Sequence, residues 1–356
     1  MNNRADQLQF FRFCAFLLIC AHHMGRCQLS WFPHGNGAAN AVEFFIVLSG
    51  AVIGISSYKR EIKCSFSNIF VYIKKKIKLF YPLYFITTIF TIIFSPILNN
   101  LIAHNFVGSK RELWQLVKNL FLIQSWFPTS YFSFNGVGWF LSTIMFLYFI
   151  NIPLRAIATK ICKLKYAEVI YIGIILSFYL LTWLYCYFTR NTNMEYTQYV
   201  LPVSRIGEYI CGMSLGYLIC LINQKVTKNE IMTILFTIFE ILTVMVWIGN
   251  MYMPIKSWHY RIVHWIIINL FLIFVFGIGR GKISDFFKLN FLRYLGDISF
   301  ECFLLHQIII TLYMRYVNLG TGDNLGKLIS LLFCIFMTVM IANLITKSKF
   351  RKRVRV

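Results

Sequence analysis

The chain has 356 residues, of which 58% are hydrophobic, 18% aromatic and only 13% charged, with a mean hydropathy of +0.65. A soluble domain of this length needs far more polar surface, so that class is excluded. The formal net charge of +22 comes from 35 Lys and Arg set between the apolar runs and at the C-terminus. That placement argues for membrane topology and anionic lipid, and against nucleic acid, as the reason for the charge.

Successive apolar runs lie near the ~20 residues that cross a bilayer as a helix. They predict an all-α integral membrane protein of about ten transmembrane helices, over 8–25, 42–58, 79–98, 138–155, 167–188, 204–222, 231–250, 262–279, 291–316 and 326–346. With the N-terminus in the cytoplasm, most of the 35 Lys and Arg fall on inside segments, which places both termini there. The first run lacks a small-residue cleavage site and is read as a retained helix. The longest outer connection, 99–137, carries an amphipathic stretch (Leu113, Trp114, Leu116, Val117, Leu120, Phe121) suited to the interface. Residues 1–356 read as a single transmembrane domain in the cell's inner (plasma) membrane, crossing it many times.

The first helix carries Arg12 near its start and His22-His23 at its end. Eleven residues separate Arg12 from His23, which returns the side chain to within about 20° of the same face, roughly 16 Å along the axis. His22 falls about 80° off that line. A fixed cation and a titratable base thus share one stripe, where ionisable groups are costly and often functional. The competing reading makes Arg12 an interfacial anchor and His23 a loop residue.

Glu43 opens the next helix and, in an antiparallel hairpin, reaches the level of His23, where it could orient the imidazole. Ser49-Gly50 reads as a site of close helix approach. Arg205 and Glu208 are i,i+3 neighbours and read as a local ion pair. Ser299, Cys302 and His306 share one face of the ninth span. Glu240, mid-helix, reads as a buried, paired or protonated acid. The ten cysteines show no CxxC and no metal spacing with histidine, so no metal is expected.

Several stretches, in order, resemble the acyltransferase-3 family of polytopic membrane acyltransferases. Arg12 and His23 resemble its Arg-x10-His signature. Val42–Gly50 is similar to its segment ending in Phe-Phe-x-x-Ser-Gly, with Ile46 replacing the second Phe. Lys74–Lys78 before Tyr81-Pro82-Leu83-Tyr84 resembles its basic cluster. Trp139-Phe140-Leu141-Ser142 with Tyr148, then Arg205, Glu208 and Gly212, then Leu295–Phe300 through His306, continue the series. The basic cluster is all lysine where arginines are usual, which removes bidentate phosphate contacts.

The resemblance implies a single transmembrane acyltransferase domain that moves an acyl group, most often acetyl, from acyl-CoA to a hydroxyl of a cell-surface polysaccharide or lipid-linked glycan. It implies catalytic roles for His23, Glu43, Glu208 and His306, and donor contacts from Arg12, Lys75, Lys76 and Lys78. The implied partners are a glycan or glycolipid acceptor, membrane lipid and other polysaccharide-assembly proteins. Trp126–Asn135 could stack on sugar rings. The alternative is a transporter or flippase for a glycan or small anion, whose helices would also carry isolated charges.

Overall fold

A computed structural model gives the fold of residues 5–93, 106–225, 229–253, 258–317 and 322–354. It is 82% helix, with no strands among the described residues. The helices are α1 (Gln7–His23), α2 (His34–Ser57), α3 (Phe66–Ile92), α4 (Phe106–Leu120), α5 (Gly138–Ile161), α6 (Ala167–Phe188), α7 (Ile206–Asn223), α8 (Glu230–Met251), α9 (Trp258–Ile278), α10 (Lys282–Phe287), α11 (Asn290–Tyr316) and α12 (Asn324–Val354).

Each apolar run expected to span coincides, over its described residues, with a helix; among the described residues 7 helices are long and apolar enough to cross a membrane, against the ten or so expected. Helix α1 has 17 residues, and the described apolar stretch of α9 is Ile262–Ile278. The end of the expected span 79–98, from residue 94 on, lies outside the described residues. The first part of α3 is basic, with Lys74, Lys75, Lys76 and Lys78 ahead of its apolar part. That helix starts well before residue 79 because Ser65 caps it, accepting the Asn68 N–H at 3.2 Å. The amphipathic stretch falls mostly on α4, which exposes Leu113 and Trp114 as an interfacial helix would, and Phe121 just beyond it is exposed too.

Close approach of small residues organises the bundle. Helices α2 and α7 run parallel, with Gly50 and Gly54 against the backbone of Tyr209 and Met213, and Gly212 and Gly216 against that of Val47 and Ala51. A methyl group at Gly212 would lie 2.0 Å from the Val47 carbonyl oxygen, so only glycine fits. The expected role of Ser49-Gly50 is thus the one observed.

Helices α1 and α2 form the expected antiparallel hairpin: Leu18 touches Gly37 near one end, and Phe11 packs on Phe44 towards the other. Helix α11 lies parallel to α1: Gly296 rests directly on the Gln9 backbone, and further along both helices His306 meets His23. Glu240 proves to be a paired acid. Buried in α8, it accepts N–H bonds from Gly281, Ile283 and Ser284 at 3.1, 3.0 and 3.1 Å and caps α10.

Candidate active site

The start of α2, the end of α1 and the middle of α11 enclose one side of a cavity of about 440 Å³. Residues 132–139, with Glu195 and Tyr199 from the connection before α7, form the other side. His22, His23, Phe132, Trp139, Tyr199 and Gln307 face into it. The segment Glu195–Val200 is a π-helical turn, a wide coil often found at functional sites.

His23 reaches this cavity because α1 ends there, and His306 reaches His23 because Gly296 lets α11 lie close to α1. His306 Nε2 is 3.1 Å from His23 Nδ1, and His306 Nδ1 is 2.7 Å from the Phe303 carbonyl oxygen. A carbonyl only accepts, so His306 Nδ1 carries its proton and, in the neutral ring, Nε2 offers a lone pair. His23 Nδ1–H must then donate to it, sharing that proton with the Ile19 carbonyl at 3.0 Å. This assigns the lone pair of His23 to Nε2, the nitrogen left for the cavity. The arrangement is that of a general base whose tautomer is set by a neighbour.

Glu43 is elsewhere. It was expected beside His23 to orient the imidazole, but its Oε1 accepts from Arg205 Nη2 at 2.7 Å. The same nitrogen lies 2.9 Å from Glu208 Oε2. All three side chains are fully buried. The reason is the parallel packing of α2 and α7, which brings Glu43 to the level of Arg205; the place beside His23 belongs to His306. The local pair Arg205–Glu208 is present as expected and has become a triad. Tyr199 couples the triad to the cavity, since its ring lines the cavity and stacks over Arg205, with Cζ 5.4 Å from the ring centroid.

At the other end of α1, Arg12 Nη1 donates to Gln9 Oε1 at 3.0 Å. Of the lysines singled out, only Lys76 turns inward, its ammonium 4.7 Å from the Tyr148 ring centroid and 5.4 Å from that of Tyr72. Burial lowers its pKa, and Lys75, Arg12 and Arg155 push it the same way. Lys75 and Lys78 are exposed. Lys78 follows Lys76 by about 200° on a helix, so it points away. Sequence reasoning missed Arg155, whose position on α5 gives no local signal.

Residues 6–347 match the family model of an acyltransferase domain. The chain belongs to the acyltransferase-3 family. This acyltransferase is therefore a membrane protein of an acyl-transferring class. Comparison with curated proteins and with solved structures gives no match. Within the acyltransferase, Trp126 packs against Phe146 instead of facing the cavity, and buried Asn135 donates to the Leu304 carbonyl at 3.2 Å. From the Trp126–Asn135 stretch, Phe132 is the aromatic residue that lines the cavity. Tyr199, Glu195 and Gln307 went unnoticed because each is brought there by a neighbouring element.

Proposed function

We propose that the chain is a membrane O-acyltransferase that takes an acetyl group from cytosolic acetyl-CoA and places it on a hydroxyl of a cell-surface polysaccharide or its lipid-linked precursor. The observation that carries this reading is the His23–His306 pair in the wall of an aromatic-lined cavity, with Arg12 on the same helix at the other end. Roughly 16 Å along the axis separates the two ends of that stripe, a length comparable to an extended pantetheine arm. Arg12 and Lys76 would hold donor phosphates, with Lys75 nearby; Lys78 would act only through the general field of that face. Phe132, Trp139 and Tyr199 offer flat surfaces to a sugar.

His23 Nε2 takes the proton of the acceptor hydroxyl as its oxygen attacks the thioester carbonyl. His306 holds the ring in the required tautomer and accepts the Nδ1–H bond that strengthens as the imidazolium forms. Glu43 and Glu208 act as positioning groups through Arg205 and Tyr199. No nucleophilic serine or cysteine is needed, so transfer is direct. The family match favours the enzyme over a transporter. The test is transfer of radiolabel from acetyl-CoA to glycan and glycolipid in membranes containing the protein; no label above that of membranes lacking it overturns the reading.

A further inference from the structure

We propose that Gln307 is a catalytic residue that donates a hydrogen bond from Nε2 to the oxyanion formed during acyl transfer; this rests on the acyltransferase reading above. Three observations carry it. First, Gln307 lines the same cavity as His23 and directly follows His306 on α11. Second, its carboxamide is oriented: the Val137 N–H donates to Oε1 at 3.1 Å. An N–H needs an acceptor, so the oxygen faces Val137 and the donor-only Nε2 is left for the cavity. Third, the amide lies flat against Gly136, where a Cβ would stand 3.0 Å from Nε2 and 3.1 Å from Oε1. Any larger residue at 136 would push the amide aside.

The segment that holds Gln307 is itself tied to its neighbours. Phe134 sits at a φ of 57°, rare for a residue with a side chain. Asn119 donates to Ser133 at 2.7 Å, and Asn135 donates to the Leu304 carbonyl at 3.2 Å on the same helix as Gln307. Helix α5 begins at Gly138, so its N-terminal dipole end lies in the same cavity wall and adds positive potential there. Fixed donors of this kind stabilise developing charge without reorganising.

The step balances as follows. The hydroxyl proton passes to His23 Nε2 while the hydroxyl oxygen bonds to the acyl carbon. The carbonyl π pair moves onto its oxygen, which Gln307 Nε2–H binds. The pair then returns, the carbon–sulfur bond breaks, and the thiolate leaves and takes the proton from His23.

Gln307→Glu is the decisive variant. It keeps the shape and the oxygen that accepts from Val137, but replaces the donor amide with an acceptor. Measured as radiolabel transfer from acetyl-CoA to glycan in membranes, kcat should fall about 10²–10³-fold with KM for acetyl-CoA unchanged. The thermal midpoint of the detergent-purified protein should stay close to that of the wild type. Gln307→Met, which removes both atoms, should lose as much kcat and also some stability. If Gln307→Glu turns over within a few-fold of the wild type, Gln307 only braces the 135–138 segment and the proposal fails, while wild-type transfer leaves the acyltransferase reading intact. Absence of wild-type transfer overturns both.

Discussion

His23 and His306, 283 residues apart in the chain, meet ring to ring, with Nδ1 of one 3.1 Å from Nε2 of the other. A histidine takes the place that a carboxylate holds in the more familiar triads. The consequence is a pair in which His306 Nε2 accepts the Nδ1–H of His23 and thereby fixes its tautomer, while the Phe303 carbonyl fixes that of His306. His23→Ala should lose transfer by about 10²–10⁴-fold. His22→Ala should be much milder, because His22 lies off the stripe. His306→Phe cannot accept the Nδ1 proton and should lose about 10²-fold or more. His306→Gln, whose Oε1 can accept it, should recover part of that loss. Kinetics with radiolabelled acetyl-CoA check all four. Equal loss in His22→Ala and His23→Ala would point to damage at the helix end.

The pH dependence follows from the same tautomer. A general base works only with its lone pair free, so with His23 in the proposed role transfer should be present where His23 is neutral and be lost as falling pH protonates Nε2. The acid limb of the kcat profile should therefore vanish in the residual activity of His23→Ala. An identical limb in that variant would assign it to another group.

Arg12→Lys keeps the charge but loses the planar fork. It should raise KM for acetyl-CoA with little change in kcat, and Lys76→Ala should do the same. Arg155→Lys tests whether the arginine missed in the sequence adds to the same anion field. Full transfer at limiting donor in Arg12→Lys and Arg12→Ala would reduce Arg12 to an anchor.

The Glu43–Arg205–Glu208 triad is buried completely, so its members depend on one another. Arg205→Met would strand two carboxylates and should destabilise the protein by about 3–5 kcal/mol, read as a lower thermal midpoint and lower yield in membranes. Glu208→Gln should cost less, because Glu43 still neutralises the guanidinium. A Gly212→Ala variant, whose methyl meets the Val47 carbonyl, should cost about 1–3 kcal/mol. At Gly173, also helical but with open space around it, alanine should be neutral or stabilising. Equal midpoints for the two glycine variants would show that α2–α7 packing is not what limits stability.

Topology is testable independently of chemistry. Reporter fusions in the Lys59–Lys78 segment and after Val356 should read cytoplasmic, and one near Lys110 should read external. Helices α1 and α11 are parallel, and so are α2 and α7. Each parallel pair requires an odd number of crossings between its members, which is compatible with strict alternation of the expected spans. A C-terminus on the far side would mean that one span had been miscounted.

Composition alone determined the class of this protein, because burying an apolar chain of this length without a bilayer would leave no polar surface to hold it in water. Helix positions were legible because backbone in lipid must satisfy its own hydrogen bonds, which ties every long apolar run to one structure. The Arg12–His23 stripe was legible too, since the periodicity of one helix is a local property. Partnership was not. Glu43 sat at the right height for His23 but pairs with Arg205, because Gly50, Gly54, Gly212 and Gly216 lock α2 to α7. His306 came to His23 because Gly296 admits α11 against Gln9. Gln307 acquired an orientation only from Val137, on a segment 170 residues away. Such contacts are set by which helices approach and at what register, and that is decided when all the small residues and buried charges of the bundle are satisfied together.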